Sequence, residues 1–327
     1  MSGPRHGLVS GRFLPPHAGH HLLIRTAARL CARVTVRVRA APDDSIPLER
    51  RLAWLREVHA GQANVAVQSD AEPEPRGVDL VLERKHVAEL APVSSRALRA
   101  DPVAHWEQLA PPVRAGLARR LVIAGAESTG KTTFARDLRD ALAARGGAFA
   151  ETRWVPELGR DYTLEWLAEV RARAAWRGEP APGMDALAWR TEHFVAIARG
   201  QNGLEAAEAR VGGPVLVCDT DAFATALWHE RYLGARAPEV EALADPRPSL
   251  YLLTHCDDVA FEADEIRDGA RWRTWMTGAF AERLRDGPHR FAFVRGGRAE
   301  RVAQALALLD RWLAGAGFGL TKPGPQE

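Results

Sequence analysis

Residues 121–133 read LVIAGAESTGKTT and decide the fold of the second half of the chain. The apolar run 121–124 predicts a short buried strand, and the amphipathic stretch from Lys131 onward predicts a helix. Between them stands the pattern G-x-x-x-x-G-K-[ST], at residues 125–132. Glycines at its two ends let the backbone N–H groups of such a loop turn inward onto a polyphosphate. The stretch therefore predicts a nucleoside triphosphate site.

The loop also supplies side chains that suit ATP and Mg²⁺. We expect ATP to be bound by Gly125, Glu127, Ser128, Thr129, Gly130, Lys131, Thr132 and Thr133. Lys131 would reach the β- and γ-phosphates, and the Thr132 hydroxyl would ligate Mg²⁺. Only Lys85, Lys131 and Lys322 are lysines among the 44 basic residues, so a retained lysine suggests a need for a compact ammonium group. A glycine turn with a surface lysine is the alternative interpretation.

The rest of this half alternates apolar runs with helical patterns. PVLVCDTD (214–221), PSLYLLTHC (248–256) and RFAFVRG (290–296) are short apolar runs, and helical patterns occupy roughly residues 161–210 and the stretch ERVAQALALLDRWLAG. Such alternation predicts an α/β domain with a parallel sheet that is covered on both faces.

Acidic residues follow the run PVLVCDTD and are candidates for the magnesium site. Asp219 is the first acid after the buried positions, so we expect it to orient the Mg²⁺ ligands. The alternative for an Asp in this segment is to cap the next helix, a role open equally to Asp221 or Thr220.

The acceptor side of the reaction needs a carboxylate and positive charge. Glu157 and, three residues on, Arg160 would lie over the phosphate site. Glu157 would act as the base and Arg160 would bind the acceptor, unless the two form only a surface ion pair. Arg267, Arg271 and Arg273 predict a lid over the γ-phosphate, with a solvated basic face as the alternative.

The N-terminal segment predicts a second nucleotide site. HGLVS reads as a strand, GRFLPPHAGH as a glycine turn, and HLLIRTAARLCAR as a helix. His17 and His20 fall in the first helical turn, where two imidazoles can stabilise a triphosphate during nucleotidyl transfer. A metal site and a plain capping turn are the rival interpretations.

Length and composition bound the remaining possibilities. The 327 residues exceed what one core usually organises, so we expect two domains. A net charge of +2 gives no indication of nucleic-acid or membrane binding. Cys31, Cys218 and Cys256 lack disulfide or zinc spacing, and no apolar leader or spanning run is present, so a cytoplasmic protein is expected. A homo-oligomer is left open.

With its two predicted nucleotide sites, the chain resembles the NadR-type bifunctional proteins, which join a nicotinamide mononucleotide adenylyltransferase to a ribosylnicotinamide kinase. The kinase half carries the resemblance at GAESTGKTT, VPELGRDY, HFVAIARGQ, CDTDAFAT, WHERYLG, YLLTHCDD and ADEIRDGARWR. It implies a substrate or magnesium role for Asp219 and Asp221, acceptor contacts from Glu157 and Arg160, and a lid around Asp264 and Arg267. Ala260 and Phe261 depart from the family's proline and tryptophan.

The N-terminal half resembles the family's adenylyltransferase at GRFLPPHAGH, ERRLAWLREVH and PVSSRALRADP. The resemblance implies a site made by Gly11, Arg12, Phe13, His17, Gly19, His20, Ser94 and Arg99. Arg96 stands where the family has threonine, and the segment between His59 and Val93 is short. The family's Ser-Glu motif is not recognisable there, and no helix-turn-helix segment precedes the domain, so no DNA binding is expected.

The resemblance implies an ATP-dependent enzyme that phosphorylates nicotinamide riboside to nicotinamide mononucleotide, with a residual adenylyltransferase step to NAD. A kinase of another nucleoside or nucleotide, and an ATP-binding regulator, are the alternatives. We expect a shortened Rossmann-like nucleotidyltransferase domain at residues 1–105, a connecting helix at 106–118, a P-loop kinase domain at 119–316 and a tail at 317–327.

Overall fold

The computed structural model describes residues 4–262, 270–316, 318 and 320. Contacts divide the chain into two compact units. The N-terminal unit is formed by the described residues of Met1–Ala118, Ala209–Pro214 and Leu313–Glu327, and the C-terminal unit by those of Arg119–Glu208 and Val215–Trp312. None of the helices in the described ranges has the length and apolar character needed to span a bilayer.

The N-terminal unit is built on a small parallel sheet. Its elements are β1 His6–Gly11, α1 Ala18–Leu30, β2 Arg33–Val38, α2 Leu48–Val58, β3 Val65–Ser69, β4 Leu80–Leu82, α3 Ser95–Ala100 and α4 Pro111–Leu117. The four strands have the order β3-β2-β1-β4, and all pairs are parallel. Ile24 and Ala27, one turn apart on α1, pack against Val34 and Val36 of β2 in one core cluster.

The C-terminal unit contains the larger sheet. Its elements are β5 Arg119–Ala124, α5 Lys131–Ala143, β6 Arg153–Val155, α6 Leu158–Trp176, α7 Thr191–Val211, β7 Val215–Asp219, α8 Ala222–Leu233, α9 Pro238–Glu241, β8 Leu250–Thr254, α10 Arg273–Arg285, β9 Arg290–Val294 and α11 Arg298–Ala316. The strand order is β6-β7-β5-β8-β9, all parallel. Every residue of β7 and β8 is buried, which is why their sequences read as continuous apolar runs.

The prediction of an α/β fold with two domains and parallel sheets is confirmed, whereas some predicted elements differ in detail. The connecting helix expected at 106–118, with a break at Pro111 and Pro112, consists of a 3-10 turn, Trp106–Gln108, followed by α4, which starts at Pro111 because proline favours the first helical position. The helical pattern at 161–210 corresponds to α6 and α7, separated by a stretch rich in glycine and proline.

Candidate functional site

The phosphate loop leaves the central strand β5 and ends where α5 begins. Gly125 has φ +152° and Gly130 has φ +79°, conformations that side chains rarely adopt. A Cβ atom on Gly125 would also lie 2.3 Å from the Thr254 hydroxyl. The Thr129 hydroxyl donates to the Ala126 carbonyl over 2.9 Å, which closes the loop from inside. The two glycines are therefore required by the backbone path itself.

A cavity of about 910 Å³ opens above this loop, entirely within the C-terminal unit. It is lined by Glu127–Phe134 and Arg136 of the loop and α5, by Trp154, Pro156, Glu157, Gly159, Arg160, Asp161 and Thr163, by Trp189, Phe194, Ile197 and Gln201, by Asp219, Thr220, Thr225, Trp228 and Tyr232, and by Asp258, Val259, Glu262, Gly296, Gly297, Arg298 and Arg301. Its volume is at the upper end of the range for small-molecule sites, so it has room for a nucleotide and a second ligand.

Lys131 lies at the floor of this cavity, at the first position of α5. Its ammonium donates to the Ala126 carbonyl over 2.9 Å, and the residue is buried. The ammonium is therefore held inside the loop, where the N-terminus of α5 adds partial positive charge. Thr132 and Thr133 follow it along the same cavity wall.

Asp219 ends strand β7 next to the loop. It pairs with Ile123 of β5 in the parallel register, two residues before Gly125. Asp219 is buried, and neither carboxylate oxygen has a hydrogen-bond partner among the described residues. Burial raises the pKa of this carboxyl, and the nearby Lys131 and Thr132 partly offset the effect. The group is thus a buried acceptor that lines the cavity.

Asp221 does not line the cavity, which corrects the expectation that it contacts substrate or magnesium. Its Oδ1 accepts from the backbone of Ala224 over 3.0 Å and caps α8. Its Oδ2 accepts from the Tyr251 hydroxyl and lies 3.4 Å from Arg120. Both oxygens are thus engaged in packing behind the sheet, and the capping alternative holds for Asp221.

A buried ion network around Arg120 was not foreseen from the sequence. Arg120 forms ion pairs with Glu205, with Asp221 and, at 3.3 Å, with Asp245. Burial, with the negative charges of Asp221 and Asp245, raises the pKa of Glu205 to about 7 despite the adjacent guanidinium. The network joins α7, the start of α8 and the segment before β8 to β5.

Glu157 and Arg160 both line the cavity, as the sequence predicted for the acceptor side, and their roles stay predictions. Glu157 immediately precedes α6. The next residue, Leu158, donates its backbone N–H to Oε1 of the buried Gln201 over 3.0 Å. This bond orients the other end of the amide, Nε2, toward the carboxylate of Glu205, whose pKa the amide helps to lower.

The predicted lid falls mostly on residues that the structure does not describe. Asp264 and Arg267 lie outside the described residues, so their expected roles stay predictions. Arg271 places its guanidinium 5.3 Å from the Trp272 ring. Arg273 donates to the carbonyls of Cys256 and Val259, each over 2.7 Å, and to that of Ser128 over 3.3 Å, so it ties the chain after β8 to the phosphate loop. Its part in a lid stays a prediction.

Arg301 is a loop contact that the sequence did not suggest. From α11, it donates to the Thr129 carbonyl over 2.8 Å and lines the cavity. Nothing in ERVAQALALLDRWLAG distinguishes this arginine from a surface one, because its burial depends on how α11 packs on the sheet.

Part of the cavity wall is aromatic, and no sequence pattern indicated it. Its rings belong to Trp154, Trp189, Phe194, Trp228 and Tyr232. The Trp189 ring centroid is 5.0 Å from those of Phe194 and Tyr232. The indole N–H groups of Trp154 and Trp189 are buried with no acceptor among the described residues. The wall thus offers flat apolar surface together with unpaired donors.

The predicted N-terminal site is only partly assembled. His17 and His20 stack with ring centroids 3.8 Å apart beside Phe13, while Gly11 ends β1 and Gly19 lies in the first turn of α1. Burial, with the charge of Arg84, lowers the pKa of His17 to about 4, and burial lowers the pKa of His20 well below its usual value.

The other three residues expected there make different contacts. Arg12 pairs with Asp43 and Asp44. The Ser94 hydroxyl caps α3 by accepting from the Ala97 backbone over 3.1 Å. Arg99 donates to the Leu14 carbonyl over 2.7 Å, which ties α3 to the turn before α1. Ser94 and Arg99 are thus satisfied locally, and their phosphate-binding role stays a prediction.

Comparison with known proteins agrees with this geometry. The AAA domain family matches residues 120–301, and the cytidylyltransferase-like family matches residues 8–142. The trifunctional NAD biosynthesis/regulator protein NadR of Escherichia coli is 25% identical over 295 residues, and that of Salmonella typhimurium 24% identical. Each match covers 73% of this chain and 66% of the relative, so the chain spans slightly less than two thirds of these relatives.

Solved structures share the fold. A NadR protein in complex with NR superposes with a TM-score of 0.64 at 19% identity, covering 94% of this chain and 96% of the other. A NadR protein in complex with NAD and AMP-PNP gives 0.64 at 18% identity, covering 96% and 97%. The chain resembles the NadR proteins in sequence and in fold, and it belongs to the AAA domain family, which matches more than half of it.

Proposed function

We propose that the C-terminal unit is a ribosylnicotinamide kinase, which transfers the γ-phosphoryl group of ATP to the ribose 5′-hydroxyl of nicotinamide riboside. The observation that carries this proposal is one cavity that joins Lys131 and the unpaired Asp219 at one end to an aromatic wall at the other. NadR structures with NR and with AMP-PNP support the choice of ligands. The reaction belongs to NAD salvage in the cytoplasm.

The donor end suits a triphosphate. Backbone N–H groups of residues 127–133 and the N-terminus of α5 attract the phosphate oxygens. Lys131 exchanges its contact with the Ala126 carbonyl for a phosphate oxygen and so stabilises charge on the transferring group.

The residues beside the loop fit a magnesium ion. Thr132 offers a hydroxyl, and Asp219 offers a buried carboxylate with two unpaired oxygens, the hard oxygen ligands that Mg²⁺ prefers. When bound there, the ion neutralises charge on the β- and γ-phosphates. The raised pKa of Asp219 is the cost of holding this carboxylate ready without its cation.

The acceptor end suits a flat base attached to a sugar. A pyridinium ring stacks on aromatic faces and gains cation–π attraction from them. The buried N–H groups of Trp154 and Trp189 can donate to the oxygens of a riboside, which would satisfy them. Glu157 is our candidate for the base that orients the attacking hydroxyl, with Arg160 beside it as acceptor ligand.

A second activity is proposed for the N-terminal unit because its two histidines are buried as neutral rings. The backbone N–H of His17 donates to Nδ1 of His20 over 3.3 Å, which leaves Nε2 of the neutral His20 ring as a donor. Such donors at the start of α1 would bind the triphosphate of ATP, which transfers its adenylyl group to nicotinamide mononucleotide. The match of residues 8–142 to the cytidylyltransferase-like family supports this step.

The kinase proposal is tested by separating the products of the purified chain, MgATP and nicotinamide riboside. The expected product is the mononucleotide, and Lys131→Ala should lower its rate by about a thousandfold. Lys85→Ala is the matched control, because Lys85 is exposed, pairs with Glu83 and lies outside the cavity. Full turnover in Lys131→Ala would contradict the proposal.

The alternatives are separated by competition. A kinase of another nucleoside would phosphorylate that nucleoside faster than nicotinamide riboside when both are present. An ATP-binding regulator would bind nucleotide tightly and transfer no phosphate to any of them.

A further inference from the structure

A cluster of three metal-ligating side chains follows strand β8. His255, Cys256 and Asp257 are consecutive in the chain, and their ligand atoms all lie within 4.8 Å of one another. Nδ1 of His255 is 3.4 Å from Oδ2 of Asp257, and the Cys256 sulfur is 3.5 Å from Oδ1 of the same carboxylate. A 3-10 turn begins directly after His255 and curls the chain, which brings the neighbouring side chains together.

The cluster lines a cavity of its own. This second cavity has a volume of about 480 Å³, and its lining shares no residue with that of the cavity above the phosphate loop. Helix α10 and strand β9 provide the rest of its wall, including the carboxylate of Glu282 and the ring of Phe293. The His255 ring lies edge-on to Phe293, with centroids 5.7 Å apart. An ion in solution thus has room to reach the three ligand atoms.

The ligand set determines which kind of cation fits. A thiolate together with an imidazole binds zinc-type ions, whereas Mg²⁺ prefers oxygen ligands alone. In a tetrahedral zinc site, bonds of about 2.0 to 2.3 Å place the ligand atoms about 3.3 to 3.8 Å apart. The distances of the Asp257 oxygens to the His255 nitrogen and to the Cys256 sulfur, 3.4 and 3.5 Å, already lie in this range.

The hydrogen bonds within the cluster leave these atoms able to bind. Nδ1 of His255 accepts from the exposed backbone N–H of Asp257 over 3.3 Å, so this nitrogen carries a lone pair and the ring proton is on Nε2. The Asp257 side chain is 71% exposed, so water can replace the hydrogen bonds that a bound ion displaces. The Cys256 thiol donates to the Asp257 carboxylate. When the sulfur–metal bond forms, the thiol proton is released to solvent.

We propose that these three side chains form a binding site for a divalent cation of the zinc type, with water or the Glu282 carboxylate as the fourth ligand. The site uses a single thiol, so no spacing between cysteines could indicate it. It is separate from the magnesium site proposed above, and it does not depend on the kinase function. Arg273 donates to the carbonyls of both Cys256 and Ser128, so an ion bound here restrains a segment that is tied to the phosphate loop.

The test uses the full chain, stripped of metal by a chelator, with Co²⁺ as the probe for a zinc-type site. Co²⁺ bound to a thiolate gives a sulfur-to-metal charge-transfer absorption, which oxygen and nitrogen ligands do not produce. We expect this absorption to saturate at one Co²⁺ per chain and to disappear when Zn²⁺ replaces Co²⁺. An excess of Mg²⁺ should leave it unchanged, because Mg²⁺ does not compete for a thiolate.

Substitutions assign the absorption to the cluster. Cys256→Ser should abolish it, since the thiolate is lost. His255→Ala and Asp257→Asn keep the thiol and should each weaken Co²⁺ binding by about tenfold or more. Cys31→Ala is the matched control, because it removes a buried thiol in the core of the N-terminal unit and should keep both the absorption and the affinity.

The proposal is overturned if the wild-type chain shows no charge-transfer absorption with Co²⁺. It is also overturned if the absorption survives in Cys256→Ser, because another thiol then holds the ion. Full affinity in either His255→Ala or Asp257→Asn would overturn the three-residue site as well. None of these readouts involves phosphate transfer, so their failure leaves the kinase proposal standing.

Discussion

Asp219 lies close enough to Lys131 for the ammonium to lower its pKa, yet neither of its carboxylate oxygens has a hydrogen-bond partner in the described ranges. A buried carboxylate without such partners costs folding free energy. A carboxylate held at such a cost is expected in a functional site that binds a cation. The group that serves the activity is thus one that lowers the stability of the ligand-free protein.

Asp219→Asn should therefore lower the kinase rate by about a hundredfold or more, without destabilising the ligand-free protein. The amide keeps the shape and removes the buried charge, so the free energy of unfolding should stay equal or rise by about 1 kcal/mol. Denaturant unfolding measures the free energy of unfolding, and turnover of the same preparation measures the kinase rate. A loss of several kcal/mol would mean that Asp219 is a structural partner and contradict the assignment.

Arg120→Met should destabilise the C-terminal unit by about 3 to 5 kcal/mol. The change leaves Glu205, Asp221 and Asp245 buried together without their shared cation. The control is Arg145→Met, which removes a partly exposed pair with Asp310 and should cost less than about 1 kcal/mol. Equal effects of the two variants in urea unfolding would contradict a dominant role for the network.

Glu205 should make the C-terminal unit less stable as the pH rises. Its pKa is about 7 in the folded protein and near 4.5 when unfolded, so the native state binds more protons between these values. The free energy of unfolding should fall by up to about 3 kcal/mol from about pH 5 to about pH 8. Glu205→Gln should flatten this slope, whereas Glu165→Gln, at an exposed position of α6, should keep it. An unchanged slope in Glu205→Gln would show that another group titrates.

His17 should give the N-terminal unit the opposite dependence. Its pKa is about 4 in the folded protein and near 6.5 when unfolded, so the unfolded state takes up the proton first as the pH falls. Stability should decline by up to about 3 kcal/mol between about pH 6.5 and pH 4. Hydrogen exchange of the α1 amides, measured across this pH range, reports this loss of stability. His17→Asn should reduce this pH dependence, and the remainder should come from His20 and His21, whose pKa values are also lowered. After correction for the intrinsic exchange rate at each pH, protection that falls as the pH rises from about 4 to about 6.5 would contradict the sign.

The donor end of the site could be predicted from the sequence because its chemistry is local. The loop is one continuous motif between a strand and a helix, and Asp219 follows from the rule that parallel strands end at one edge of a sheet. Asp221 could not be separated from it by pattern alone. Thr220 has φ +75°, which turns the chain so that Asp221 begins a helix and does not extend the strand.

The acceptor end could not be predicted because it is assembled from distant elements. Trp154 lies in β6, Trp189 just before α7, Phe194 in its first turn, and Trp228 and Tyr232 on α8. Each ring alone is consistent with ordinary core packing, and only the crossing of these helices turns them toward one cavity.

The most direct test of the kinase claim follows the γ-phosphoryl group itself. The purified chain is incubated with γ-labelled ATP, Mg²⁺ and nicotinamide riboside, and the label is located after separation of the products. We predict that one label per molecule appears on the ribose of nicotinamide mononucleotide and that Asp219→Asn abolishes it. Label found only in inorganic phosphate, or on the mononucleotide at an equal rate in Asp219→Asn, would contradict the account.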